Sequence, residues 1–555
     1  MTPFGVRRDA HTPTRSSNLT ALLGLCLAAA MTAVTPSAAD AQAAATVSQL
    51  GAAVVRIDGG EIVGLAGADG AVARYLGIPY AAAPVGGLRW RPPQPVVAWQ
   101  GILETTHFAP ACLQPLPAPG SFYQKEFFLT SERQSEDCLY LNVHTPARDN
   151  TDRLPVMVWF HGGGFSQGSG SLPTFDGDAL ARKGVVLVTI NYRLGPLGFF
   201  THPELDAESP DRVSGNYGLL DMMAALRWVQ ANIAGFGGDA HNVTIFGQSA
   251  GALGVGAMMA SPLAHDLFRR AIVESDPMFG MSDPMQTLSQ SEQGTAKFAE
   301  ALHAHTLAEL RMLPGPDLVQ AIGVNGSKAA GFGLRPNVDG HVLPHDLPEM
   351  IASGHGTGET VLIGTNFDEG TELLPATTPD GLNSLIHRRF GGEADALAGL
   401  YQGSDDAGAT SAQDRMQSDY LLAASAREAL VLAAHGKPAF VYRFTRLAPG
   451  SDPIKVGAFH SAELAYVFGT QATIERPWQP RDQELAEQLQ RYWTNFARSG
   501  DPNGAGLPSW PRFGAGSETV MELGDDVRPI PVLDAARKAA FDAYLTTRLP
   551  RQAGQ

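Results

Sequence analysis

Residues 242–252, NVTIFGQSAGA, constrain this chain more than any other stretch. Val243, Thr244, Ile245 and Phe246 are β-branched or aromatic and predict a short buried strand. Gly247, Gln248, Ser249, Ala250 and Gly251 follow as G-x-S-x-G, and the small residues Ala252, Gly254, Gly256 and Ala257 suit a tightly packed helix. A serine on so sharp a turn from strand to helix is strained. Its two glycines are needed because neighbouring backbone passes close by.

The pentapeptide alone is weak, since 61 glycines in 555 residues make about one chance match expected. A second match exists, Gly164-Phe165-Ser166-Gln167-Gly168, but it follows a glycine run and leads into Ser169, Gly170, Ser171 and Pro173 with no helix start. Only Ser249 has a strand before it and a helix-compatible run after it. It is the candidate nucleophile of a nucleophile elbow.

The rest of the chain supplies a sheet for that elbow. Apolar segments at 54–57 and 75–80 predict an antiparallel lead-in, and 139–143 and 155–160 predict strands. The second of these, PVMVWF, is almost wholly apolar, as a strand buried on both faces must be. It runs into His161-Gly162-Gly163-Gly164, where three glycines in a row expose backbone N–H groups suited to an oxyanion. A strand at 184–191, helical spacing over 219–233 and a strand at 268–273 continue a strand–helix alternation. Such alternation predicts an α/β fold with a mostly parallel central sheet and helices on both faces. Residues 285–355 read as an amphipathic helical cap over the sheet's C-terminal edge, and 360–365 and 439–444 as the last clear strands. One domain is expected over 42–555.

A serine hydroxyl needs a base, and the base an orienting carboxylate. In this architecture the chain order is serine, acid, histidine. The strand at 360–365 is followed by Asp368 and Glu369, between which spacing does not decide. Beyond them stand His387, His435 and His460. His387 has the look of a solvated helix face and His435 of a turn into a strand. His460 lies in a loop after the last strand, where a base must be.

A formal charge of −16 argues against nucleic acid or an anionic membrane as partner. Arg7, Arg8 and Arg15 precede an apolar run at 19–34, and Ala39-Asp40-Ala41 offers a cleavage site, so residues 1–41 read as a cleaved secretory signal. The protein is expected to be secreted or periplasmic, without a membrane anchor. Cys26 leaves with the leader. Cys112 and Cys138 then predict one disulfide, closing a loop of about 25 residues and contributing roughly 3 kcal/mol. That loop carries Pro115, Pro117, Pro119, Phe122, Tyr123, Phe127 and Phe128. It lines a substrate entrance or covers core.

Taken together, the chain resembles the type B carboxylesterase family, which also holds the cholinesterases. The resemblance rests on Gly77-Ile78-Pro79-Tyr80, on Ser135-Glu136-Asp137-Cys138-Leu139, on Gly162 to Phe165, and on Asn191-Tyr192-Arg193-Leu194-Gly195. It continues through Gly215-Asn216-Tyr217-Gly218-Leu219, Phe236-Gly237-Gly238-Asp239, Asp368-Glu369-Gly370, the His460 loop and Gly500-Asp501-Pro502-Asn503. It implies an α/β-hydrolase fold and a serine hydrolase of small-molecule carboxylic esters that needs no cofactor or metal. Ser249, Glu369 and His460 align with the family's triad, and Gly163, Gly164 and Ala250 with its oxyanion donors. The Cys112–Cys138 pair matches a family disulfide, and Glu463 and Ser275 are expected to support the triad from behind. The chain departs from the family at Gln248, where Glu is common, and at Glu274-Ser275-Asp276, where Gln-Ser-Gly is common. Whether Glu274 and Asp276 act on Glu369 or His460 or face solvent stays open. Met278, Phe279 and Met281 suit an acyl pocket or plain core. The loop between the cysteines has no tryptophan, so choline esters are not expected. The alternatives are an esterase for a bulky natural ester, such as a plant phenolic or polyketide toxin ester, and a binding module that has lost catalysis.

Overall fold

Alternation along single strands decides which side chains meet. The computed structural model describes residues 51–549 apart from 68, 119, 128–132, 281–283, 355–359, 372 and 451–456. The expected leader with Arg7, Arg8, Arg15, Cys26 and Ala39-Asp40-Ala41, and also Phe128 and Met281, lie outside the described residues. The strands that carry the main sheet are β1 (Gly51–Ile57), β2 (Gly60–Ala66), β3 (Ala73–Pro79), β4 (Tyr140–Thr145), β5 (Leu154–Phe160) and β6 (Val186–Ile190). They are followed by β7 (Gly238–Gln248), β8 (Arg270–Glu274), β9 (Thr360–Asn366), β10 (Ala439–Phe444), β11 (Thr519–Leu523) and β12 (Val527–Pro531). With Ile102–Glu104, which pairs with β2 alone, they make a 13-stranded sheet in the order β1-β2-β3-β4-β6-β5-β7-β8-β9-β10-β11-β12. Pairing is parallel from β6 through β11 and antiparallel at both ends.

In β5, Val156, Val158 and Phe160 enter one apolar cluster, while Met157 and Trp159 enter another on the opposite face. β7 splits the same way, with Val243 and Ile245 on one side and Phe246 on the other. The first face is covered by α1 (Tyr217–Asn232), α2 (Ala250–Ala260) and α3 (Asp406–Ala434), and the second by α4 (Pro480–Ser499). Both faces are therefore dry, which is why the central strands carry no polar alternation.

The region at 285–355 forms the helices Leu288–Ala301, Leu307–Met312, Gly315–Ala321 and Leu347–Ala352. The first three share a separate small core with Trp90, Leu197, Phe200 and Leu205. β11 and β12 correct the expectation that 439–444 is the last strand. Glu522 interrupts the apolar run of β11, and β12 is a half-exposed edge strand holding Pro529 and Pro531, so neither shows an alternating pattern.

Candidate active site

The sheet delivers Ser249 one residue beyond the end of β7, where Gln248 stands opposite Glu274 of β8. Ser249 adopts φ 56° and ψ −126°, and its N–H donates to the Glu274 carbonyl at 2.8 Å. A non-glycine residue in this region is strained by about 1–3 kcal/mol and persists because its surroundings hold it. Here β8 holds the turn from one side and the first turn of α2 from the other. A Cβ on Gly251 would lie 2.0 Å from the Phe160 carbonyl oxygen, so only glycine lets α2 start against the end of β5.

The turn after β9 points the two adjacent acids in opposite directions. Asp368 faces the His460 loop from below: its N–H donates to the Ala458 carbonyl at 3.0 Å, and its Oδ2 accepts from the Ala458 N–H at 2.8 Å. Glu369 points the other way, with Oε2 2.5 Å from His460 Nδ1 and Oε1 accepting from the Asn366 N–H at 2.6 Å. Its own N–H donates to Ser418 Oγ of α3 at 2.9 Å. With Nδ1–H facing a carboxylate, Nε2 is left as an acceptor. His460 Nε2 is buried and makes no hydrogen bond among the described residues. Burial disfavours the charged imidazole, but the adjacent Glu369 carboxylate outweighs it and raises the His460 pKa above its ordinary value.

Ser249 and His460 line one cavity of about 520 Å³, together with Gly163, Gly164 and Ala250. Gly163 has φ 107°, and a Cβ there would lie 2.2 Å from the Gln167 carbonyl oxygen. Among the described residues no hydrogen bond takes up the N–H groups of Gly163 and Gly164. Ala250 is the first residue of α2, a position whose N–H has no partner within a helix. These N–H groups are thus available to an anion.

Cys112 and Cys138 are disulfide-bonded, with Cα atoms 5.0 Å apart. None of the described residues of their loop lines the cavity. Instead Gln114 bonds both sides of Gly168, accepting from its N–H at 2.7 Å and donating to its carbonyl at 2.8 Å. Phe122 meets Phe459 edge-on at 4.8 Å. The loop braces the glycine turn and the His460 loop from outside.

The departures at 274–276 separate in space. Glu274 is wholly buried and accepts from Trp493 Nε1 of α4 at 2.8 Å. Burial, with the Glu463 carboxylate beside it, holds its carboxyl well above the usual range. Ser275 is buried at φ 61°, and its N–H donates to the Gly364 carbonyl at 2.8 Å. Asp276 lines the cavity and acts electrostatically on Arg335, another cavity residue. Glu463 accepts from Asn366 Nδ2 at 2.5 Å, and burial first, with Glu369 adding, pushes its carboxyl up to about 7. Met278 and Phe279 are buried in the core cluster and do not line the cavity. His387 and His435 are exposed at helix C-termini, and neither lines the cavity.

Sequence reasoning overlooked Asn366, Ser418 and Gln114. Asn366 had a signal, a polar residue closing an apolar strand just before the paired acids, and its Nδ2 also donates to the Phe459 carbonyl at 2.8 Å. Ser418 and Gln114 had none. Among the described residues one group has the makings of a metal site, His144 with Asp176 and Asp178, but Arg74 already pairs with Asp178 there.

The model of the carboxylesterase family matches residues 51–542. A fumonisin B1 esterase of Sphingopyxis macrogoltabida is 39% identical over 478 residues, covering 83% of this chain and 85% of its own. A para-nitrobenzyl esterase of Bacillus subtilis is 35% identical over 478 residues, covering 83% and 92%. A solved PNB esterase structure superimposes with a TM-score of 0.77 at 32% identity, covering 88% of this chain and 99% of that one. With an α/β-hydrolase sheet, a serine elbow over a cavity and this match along almost its whole described length, the chain belongs to the carboxylesterase family and is a carboxylic ester hydrolase.

Proposed function

We propose that Ser249, His460 and Glu369 form the catalytic triad, with Gly163, Gly164 and Ala250 as oxyanion donors. The observation that carries this reading is the 2.5 Å His460–Glu369 contact beside an unpartnered Nε2 in the cavity that Ser249 lines. His460 Nε2 takes the hydroxyl proton as Ser249 Oγ attacks the ester carbonyl, and Glu369 stabilises the imidazolium. The three N–H groups receive the developing oxyanion, a role in which one donor is worth roughly 100- to 1000-fold in kcat. The imidazolium gives its proton to the departing alcohol. Water, deprotonated by the same base, then attacks the acyl-enzyme and releases the acid. Glu463 and Ser275 support the site from behind.

The test is kcat/KM of wild type and Ser249→Ala on p-nitrophenyl esters of increasing acyl length, with fluorophosphonate labelling. Activity and labelling that vanish in the variant support the triad. An active variant would sink it.

The size of the cavity, about 520 Å³, and the relative named for fumonisin B1 favour a second reading within the same activity, a bulky natural ester as substrate. A kcat/KM that falls steadily as the acyl or alcohol part grows would count against it. Export is part of the same proposal and has its own support. The leader at 1–41 has the basic, apolar and A-x-A segments of a signal, and the disulfide suits an oxidising compartment. Among the described residues no helix is long and apolar enough to cross a membrane.

A further inference from the structure

The cavity in front of Ser249 holds a charge that ester hydrolysis does not require. Much of its wall is apolar, with Leu172, Phe175, Leu253, Leu373, Leu374 and Leu464. Among the described residues lining it, Arg335 is the one permanent cation and Asp276 the one carboxylate. Asp276 is committed to its own turn. It is only 3% exposed, and a Cβ on Gly280 of the turn after β8 would lie 1.9 Å from its Oδ1. It acts electrostatically on both His460 and Arg335, so the imidazole and the guanidinium share one neighbourhood. Arg335 has no such commitment. It is exposed to the cavity it lines, and among the described residues its guanidinium makes neither a hydrogen bond nor an ion pair.

The backbone beneath that free head is pinned on both sides. Gln286 Nε2 donates to the carbonyls of Gly333 at 2.9 Å and of Arg335 itself at 3.0 Å. Leu334 is wholly buried in the small core of the cap, and Pro336, also buried, restricts the residue before it to extended backbone. The Asn337 N–H donates to Asn216 Oδ1 at 3.0 Å. The surrounding protein withdraws water from the guanidinium and lowers its pKa against the pull of Asp276, so an arriving anion would replace lost hydration. The planar fork of arginine matches a carboxylate through two parallel hydrogen bonds. With no second cation in the wall, it suits that single charge better than a doubly charged phosphate. We propose that Arg335 is a specificity-determining residue that binds a free carboxylate on the substrate. The cavity then takes esters that keep one unesterified acid group, either on the acyl part, as in hemiesters of dicarboxylic acids, or on the alcohol part, as in acylated hydroxy acids. The inference rests on ester hydrolysis at Ser249.

The experiment compares kcat/KM within two matched pairs of esters, followed by pH-stat titration of the full mature chain. Ethyl hydrogen glutarate against ethyl pentanoate places the carboxylate on the acyl side, and 4-acetoxybutanoate against butyl acetate places it on the alcohol side. Wild type is expected to prefer the anionic member of one pair by about 10- to 100-fold, the worth of a hydrogen-bonded charge pair, and that pair identifies the half of the ester that Arg335 holds. Arg335→Gln is expected to bring the ratio down toward one, mainly through KM of the anionic ester, and Arg335→Lys to restore it in part, because it keeps the charge and loses the fork. A ratio within each pair is insensitive to how much of a variant is folded. A preference that survives in Arg335→Gln would overturn the proposal. Should that variant not fold, ionic strength decides: the wild-type ratio is expected to fall severalfold between roughly 0.01 and 1 M salt, and a ratio indifferent to salt would overturn the proposal. A wild type that fluorophosphonate labels at Ser249 but that favours the anion in neither pair would overturn it too and leave the triad standing. A wild type that is neither labelled nor active on any of the four esters would overturn the triad itself.

Discussion

Two stretches of this chain spell G-x-S-x-G, at 164–168 and 247–251, and both serines line the same cavity. They are built for different ends. Ser249 sits at φ 56° between a strand and an 11-residue helix, while Ser166 sits in an isolated turn, its N–H on the Gly163 carbonyl at 3.0 Å and its Oγ on the Gly164 carbonyl at 3.3 Å. Gly251 is pressed against the Phe160 carbonyl, whereas Gly164 would meet nothing within 4 Å if it gained a Cβ. The same five letters mark a close crossing of backbones in one case and a turn that presents N–H groups in the other. The flanking elements give the pattern its meaning.

The contrast is sharpest at the serines. Ser249→Ala is expected to lower kcat on a p-nitrophenyl ester by on the order of a million-fold. A variant retaining even a hundredth of the activity would break the comparison. At the glycines the expected separation is in stability. Gly251→Ala forces a Cβ to within 2.0 Å of a main-chain oxygen and is expected to cost several kcal/mol or to abolish soluble expression, as overpacking of a rigid core does. Gly164→Ala meets only the strain of its positive φ, about 1 kcal/mol. Chemical denaturation of the two variants measures the difference.

Protonation gives a third test. Because Glu369 raises the His460 pKa, kcat/KM is expected to fall as pH drops through a value above the ordinary 6.5 of histidine. Stability runs the other way. A base whose folded pKa is raised contributes its stabilisation fully below the unfolded value and loses it as pH rises through the folded one. The buried Glu274 and Glu463 add in the same direction, since their raised carboxyl pKa values mean stability falls from about pH 4.5 upward. Thermal melts from pH 5 to 8 should therefore decline while activity climbs. A rising Tm would contradict the assignment. The smallest effect is expected at Ser166→Ala, within about twofold in kcat/KM and about 1 kcal/mol in stability, the worth of one local hydrogen bond.

Strand and helix identities were readable wherever burial on both faces leaves uninterrupted apolar runs, as in β5, β7 and β9. β11 and β12 were not, because a sheet edge needs no such run and these two hold Glu522, Pro529 and Pro531. Around the cavity, Ser249 announced itself through its flanks and His460 through its place in chain order. The contest between Asp368 and Glu369 could not be resolved along the chain, since neighbouring residues on a turn point opposite ways and only the fold says which way is inward. The roles of Glu274 and Asp276 were equally opaque, because one faces Trp493 and the other the cavity although a single residue separates them.

Ser249, Glu369 and His460 follow β7, β9 and β10, and Trp493 of α4 reaches back to Glu274. During synthesis, then, the elbow leaves the ribosome long before the histidine, and the helix that backs it emerges later still. With His460 as the proposed base, a truncated or half-made chain would hold an inert serine. Hydrolysis is in this sense an end-of-line signal, switched on only when nearly the whole polypeptide has been produced and folded, and a chain cut between β9 and β10 would turn it into a reporter of whether the two pieces have found each other.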